Sequence, residues 1–288
     1  MQEVILAILQ FGLMASTIDL MFVQGMNIPI SYLSFFKERP TLLLRSLLAV
    51  IVLVPIAALF VIFLVRPSQD VSVGLAILAA CPAAPMMLVN IPKAGGEPRF
   101  VTSLHLSLGL LSLITTPVIL ELMADALNFQ ASISPLAIAG QVSVSLIIPV
   151  CIGILFYAKF PGVTDIIRKP LAIIGQIISF LMIGIILSTN YHFLLQMDLR
   201  SYIAMALMVI IALGIGNFLA PPQPEERTAM ALESAARHPG LAFLIASLNF
   251  PLEKALPVLI PYLFIFAIIS ILYVQFKKKM THFISLRA

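Results

Sequence analysis

The sequence predicts an all-α polytopic membrane protein of about nine transmembrane helices, built as two inverted halves that each hold one broken helix. Composition is the first observation: of 288 residues, 61% are hydrophobic and 10% charged, against roughly 45–50% and about 25% in a soluble domain. Seventeen basic and thirteen acidic residues cannot cover a water-facing surface. The second is run length: the apolar runs are about 20 residues long without period-two alternation, which selects helices over a barrel. The third is a pair of proline interruptions set five helices apart, an offset that reverses the direction of crossing. Nine helices take about 180 residues, so residues 1–288 form one transmembrane domain with no room for a soluble one.

The apolar stretches fall at 4–24, 42–65, 71–90, 100–125, 134–157, 170–190, 201–220, 228–249 and 255–275. Met1-Gln2-Glu3 puts an acid where a signal peptide carries Lys or Arg, so the first stretch reads as a spanning helix. Alternate connections divide the basic residues. One set holds Lys37, Arg39, Arg45, Lys93, Arg99, Lys159, Arg168, Lys169, Arg227, Lys277, Lys278, Lys279 and Arg287; the other holds Arg66, Arg200 and Lys254. The positive-inside rule then places the N-terminus outside and the C-terminus in the cytoplasm of a multi-pass inner-membrane protein. A net charge of +4 follows from that topology, so nucleic acid is not an expected partner; the bilayer is. Lys277-Lys278-Lys279 reads as a topological anchor. Cys81 and Cys151 both lie in apolar runs and read as small packing residues.

Two stretches carry the breaks. The third contains Cys81-Pro82-Ala83-Ala84-Pro85 and the eighth Arg237-His238-Pro239-Gly240. Proline removes a backbone donor and clashes with the preceding turn, so each helix is expected to break there. The half-repeats then run about 1–125 and 134–276. Interrupted helices in corresponding places of two inverted halves point to a transporter site at the bilayer midplane, the alternative being ordinary proline kinks. Pro82, Ala83, Pro85, Pro239 and Gly240 line the expected site.

An ionisable group at mid-membrane costs on the order of 2.5–3.5 kcal/mol on the lenient insertion scale, so such groups are functional candidates. Glu233, Arg237, His238 and His105 qualify. Glu233 and Arg237 are spaced i, i+4, the favourable order for an ion pair, which is either part of a site or a device that holds the broken helix together. His105 and His238 have an ordinary pKa of about 6.5, suited to carrying a proton; His105 reads equally as a packing residue. Asp19, Glu121 and Asp125 are expected near helix ends, at the interface. No catalytic motif of the HExxH or GxSxG kind is present, so no enzyme is expected, and Gly95-Gly96 reads as a loop feature.

At these residues the sequence resembles the bile acid:sodium symporter family across nearly its whole length. The resemblance rests on Phe11-Gly12, Cys81-Pro82, Leu110-Leu111-Ser112 through Thr116-Pro117, Glu233 and Gly240-Leu241-Ala242. It implies a panel domain and a core domain in which two broken helices cross; members usually have ten helices, and this chain is similar to that fold without the first. The departures are as informative. The positions that the resemblance assigns to sodium ligands fall at Val50, Met87, Leu88, His105 and Arg237, and the Gln-Asn pair that follows the family glutamate is here Arg237-His238. Sodium wants several oxygen ligands, and only Glu233 offers one, while a guanidinium beside it supplies a fixed charge in place of a mobile ion. The expectation is therefore a secondary transporter of a small organic anion, carboxylate or bile-acid-like, working by alternating access without sodium, with a proton or no ion coupled. No other cofactor or metal is expected. The alternative is a membrane-embedded ligand sensor that uses the same fold without net transport. Substrate identity and oligomeric state are not legible.

Overall fold

Prolines mark most of the helix starts, because a missing N–H leaves nothing unpaired in a first turn. In the computed structural model, which describes residues 2–28, 32, 35–82, 84–129, 135–249 and 252–285, Pro40, Pro98, Pro135, Pro161, Pro224 and Pro239 each open a helix. The order is α1 (Gln2–Met26), the single turn α2 (Phe35–Glu38), α3 (Pro40–Leu47), α4 (Val54–Val65), α5 (Gln69–Ala80), α6 (Met87–Lys93) and α7 (Pro98–Leu127). There follow α8 (Pro135–Val142), α9 (Ile148–Lys159), α10 (Pro161–Gln196), α11 (Leu199–Leu219), α12 (Pro224–Ala235), α13 (Pro239–Asn249) and α14 (Leu252–Ser285). α3 runs into α4, and α8 into α9, through π-helical stretches at Leu48–Leu53 and Ser143–Ile147. Each stretch leads up to a proline, Pro55 or Pro149, whose ring and missing N–H widen the preceding turn.

The protein is an all-α polytopic membrane protein. Its outer surface carries many large apolar side chains: Phe11, Phe218 and Ile166 are 80%, 88% and 74% exposed, so hydrocarbon is the solvent that fits it. Among the described residues, seven helices have the length and composition to cross a bilayer: Ala7–Met26, Pro40–Val65, Pro98–Leu127, Pro135–Lys159, Pro161–Thr189, Leu199–Leu219 and Val258–Lys279. The expected nine are not reached by that measure, because the third and eighth stretches are divided into α5 with α6 and α12 with α13, each piece too short alone.

Contacts between helix ends show which connections share a side. Arg39, ahead of α3, clasps Glu226 in the first turn of α12 with both guanidinium nitrogens, and Arg99 comes within 3.9 Å of Glu38. The Glu97 N–H donates to the Glu225 carbonyl at 3.3 Å. Arg39 and Arg99 also flank the Phe35 ring, at 5.5 and 5.3 Å from its centroid. The hydrogen bond that it donates to Glu226 holds Arg39 above its ordinary pKa. Residues 38–39, 97–99 and 225–226 therefore lie at one end of the protein. Likewise Tyr273 donates its hydroxyl to Asn217 Oδ1 at 3.0 Å, which brings the end of α11 to the late turns of α14.

α1 packs along α9 and α10, while α11 packs on α4 and α12, and α5 on α7 and α14. The α1–α9 crossing is backbone against backbone. A Cβ on Gly25 would strike Val150 O and the Gly153 Cα, and one on Gly153 would strike Phe22 O. Two expectations need correction here. Cys151 is exposed on α9 rather than packed, whereas Cys81 is buried. Asp19 does not reach a helix end: it sits inside the Ala7–Met26 span, where its carboxyl packs against Gly175 of α10. Glu121 and Asp125 are exposed in the last two turns of α7.

Candidate functional site

α5 ends at Ala80 because Cys81 leaves helical geometry (φ −108°, ψ 82°) ahead of Pro82. α12 ends at Ala235 because Ala236 is extended (φ −69°, ψ 128°), and Pro239 then starts α13. The two breaks meet. Pro82 and Arg237 form an isolated antiparallel bridge, and the His238 N–H donates to the Cys81 carbonyl at 2.9 Å. Pro85 is half-buried in the turn leading to α6, and its carbonyl accepts from the Leu88 N–H at 3.4 Å. Ala83 lies outside the described residues.

A helix that stops at membrane depth leaves carbonyls without partners, with partial negative charge gathered at its C-terminal end. Here two such ends converge, and side chains from elsewhere satisfy them. Arg237 donates from Nη1 to the Ala79 carbonyl at 3.3 Å and from Nη2 to the Ser234 carbonyl, so one guanidinium spans the ends of α5 and α12. Thr116 on α7 donates to the Ala80 carbonyl at 2.8 Å, and Tyr262 on α14 to the Ala235 carbonyl at 3.1 Å. The expected Glu233–Arg237 ion pair does not form. The i, i+4 geometry it needed ends with α12, two residues before Arg237, and the guanidinium turns to the carbonyls instead.

Glu233 pairs with His105 of α7: Oε1 lies 2.8 Å from Nδ1, with the two side chains 0% and 3% exposed. His238 caps α13, its Nδ1 accepting from the Leu241 N–H at 3.0 Å, which leaves the ring proton on Nε2. Glu233 Oε2, Ser234 Oγ, Arg237 Nε and His238 Nε2 are all enclosed without a hydrogen-bond partner among the described residues, a concentration of unmet polar groups within six residues. Gly240 opens this cluster to α1, because a Cβ there would meet Thr17 Oγ1 and the His238 ring. All four candidates are thus gathered at the crossing. The two N–H donors and the start of α13 suit an anion, and the His105–Glu233 pair suits a proton. Sequence reasoning missed Thr116 and Tyr262 as caps. Thr116 carried a weak signal as a hydroxyl inside an apolar run; Tyr262 carried none.

A sequence model of the Sodium Bile acid symporter family matches residues 17–197, more than half of the chain. The chain belongs to the sodium bile acid symporter family. No curated protein matches it. The match to the sodium bile acid symporter family takes in the first break and His105 and stops short of α12, so Glu233, Arg237 and His238 lie beyond it. The positions that the resemblance assigned to sodium ligands have the following surroundings. Val50 is buried hydrocarbon, Met87 and Leu88 open α6 with apolar side chains, His105 is engaged by Glu233, and Arg237 brings a cation of its own.

Proposed function

We propose that the chain is a secondary transporter of a small organic anion, working by alternating access and without sodium. The observation that carries this reading is Arg237, whose guanidinium holds the ends of both broken helices where a mobile cation would otherwise be attracted. The His105–Glu233 pair is the proposed seat of a transported proton, or of none if the protein is a uniporter. A carboxylate would enter against the first turn of α13, drawn by His238 Nε2 and the helix N-terminus.

The proposed architecture has nine crossings in two inverted halves. Residues 39 and 99 lie at one end although a single long helix, Pro40–Val65, separates them from the start of α5; the α5–α6 pair then supplies the second crossing. The Asn217–Tyr273 contact supports the same count for the α12–α13 pair. Packing of α1 with α9 and α10, apart from the α4, α5, α11 and α14 group, supports a panel and a core. In this reading the end bearing Arg39 faces the cytoplasm.

The test is thermal stabilisation of the purified chain by a panel of bile-acid and keto-acid carboxylates in sodium or potassium chloride, followed by uptake of a stabilising one into proteoliposomes. Uptake unaffected by a sodium gradient is expected, with a proton gradient or no ion gradient driving it. Strong stimulation by sodium alone overturns the coupling, and stabilisation by cationic ligands only overturns the anion. Binding without flux under any gradient supports the sensor in place of the transporter.

A further inference from the structure

Asp19 is an ionisable group deep in α1 that the crossing of the broken helices does not use. It lies within the Ala7–Met26 span, and its carboxyl packs on Gly175, the middle residue of the Pro161–Thr189 span of α10. A Cβ at Gly175 would strike Asp19 Oδ2 and the Leu20 side chain, so the missing side chain is what lets the carboxyl in. The two spans thus hold a carboxyl at the depth of the hydrocarbon.

Among the described residues Asp19 takes part in no ion pair. The elements that pack most on α1 are α9, α10, α13 and the π-helical stretch Ser143–Ile147. On α10, Arg168 comes seven residues before Gly175, about 10 Å along the helix, and it is engaged by Asp165 at 3.2 Å. Lys169 lies in the same early turns, while Tyr191 and His192 lie near the far end of that helix. α9 carries Tyr157 and Lys159 in its last turn and an exposed Cys151. Neither α13 nor the π-helical stretch has a titratable side chain. His238, ahead of α13, meets α1 at Thr17 by way of Gly240, and Thr17 is turned about 200° from Asp19 around the helix. The Gly175 N–H supplies a hydrogen bond to the carboxyl, and one such bond does not replace the hydration of a full negative charge. A carboxyl in hydrocarbon without a cation is more stable with its proton than without it. We propose that Asp19 binds a proton at mid-membrane, as a neutral carboxylic acid in the α1–α10 pair, separate from the His105–Glu233 pair. That proton leaves when α1 and α10 part far enough to admit water. The site stands whether or not the transport reading does.

Full-length protein in phosphatidylcholine vesicles at neutral pH, treated with dicyclohexylcarbodiimide, which partitions into hydrocarbon, or with a water-soluble carbodiimide, provides the test. The protonated acid is the reactive form. Its proton passes to a carbodiimide nitrogen as the carboxyl oxygen bonds the central carbon, and the acyl group then shifts to nitrogen, leaving an N-acylurea that retains every atom of the reagent. A carboxyl at the ordinary aspartate pKa of about 3.9 is protonated in about one molecule in a thousand at neutral pH, so Asp19 should take up the hydrophobic reagent at least about tenfold more than the exposed Glu121 and Asp125. The water-soluble reagent should reverse that order, and peptide mass spectrometry reads both. Infrared spectroscopy gives a second readout: the carbonyl band of a protonated acid, present in the parent and lost in Asp19→Asn. Loss of that band supports the proposal even where packing keeps the reagent out. If Asp19→Asn does not fold, labelling of the parent decides. Absence of the adduct with a band unchanged in Asp19→Asn overturns the proposal. So does labelling of Asp19 by the water-soluble reagent as readily as by the hydrophobic one.

Discussion

Replacing Arg237 with alanine removes a side chain that joins the ends of both broken helices. The parent makes hydrogen bonds from its guanidinium to the Ala79 and Ser234 carbonyls, and the side chain is 2% exposed. A hydrogen bond involving a charged group contributes about 1.5–3 kcal/mol, and a buried carbonyl left without a donor costs on a similar scale. Truncation lets the site collapse or admit water, so the two losses do not simply add, and a net destabilisation of about 3–5 kcal/mol is expected. At roughly 2–4 °C per kcal/mol for a chain of this size, the midpoint should fall by on the order of 10 °C. Arg237→Lys keeps the charge but not the fork that reaches two carbonyls, and should lose about half as much. Far-UV circular dichroism followed through thermal unfolding in detergent measures both, since the protein is helical throughout. An Arg237→Ala variant within about 0.5 kcal/mol of the parent would show that the guanidinium does not hold the crossing.

Thr116→Val leaves the Ala80 carbonyl without its donor and should cost about 1–2 kcal/mol in the same melt, with little change in fold. His105→Ala strips the partner from a fully buried Glu233 carboxylate and should be more damaging than His105→Gln, which can still donate; equal losses would mean that the pair contributes nothing. Gly153→Val drives a side chain into the Phe22 carbonyl and should cost about 1–3 kcal/mol, whereas valine at Gly214, which has open space, should be tolerated better in the same comparison. The Arg39–Glu226 clasp should yield a coupling of about 1 kcal/mol in a double-mutant cycle, discounted because Arg39 is a third exposed. Because Arg39 is held above its ordinary value, its contribution is full below that value and is lost only as pH rises beyond it. The coupling should therefore not decay with rising pH anywhere below about pH 12, and salt should weaken it.

Helix positions were legible because prolines announce themselves: six helices begin on one, and both breaks fall where Cys81-Pro82 and His238-Pro239 placed them. α10 extends earlier than its apolar run because Pro161 opens a polar first turn that hydropathy does not mark. The site was half legible. Its members stood out as charges in a sequence poor in charge, but their partners did not. His105 meets Glu233 across 128 residues, and Arg237 meets a main-chain carbonyl, which every residue has and no sequence pattern distinguishes. The i, i+4 rule that pointed Arg237 at Glu233 presupposes a continuous helix, and it failed at the one place where the chain was already expected to break. Asp19 was misplaced for a related reason: a helix-end reading from sequence cannot see that α10 covers it.

The wiring of the α5 terminus also sets an order of events during synthesis. The carbonyls of Ala79 and Ala80 emerge early, yet their donors arrive 36 residues later, from Thr116, and 158 residues later, from Arg237. Until Arg237 has been made, the Ala79 carbonyl lacks its side-chain donor among the described residues and should stay in contact with water or the insertion machinery. Insertion of the first broken helix is thus completed by the second. A ribosome stalled between α7 and α12 should hold a nascent chain whose α5 end is still hydrated, which hydrogen exchange at the Cys81 amide, bonded to the Leu78 carbonyl in the finished fold, would register as a lack of protection that disappears only after residue 237 has entered the membrane.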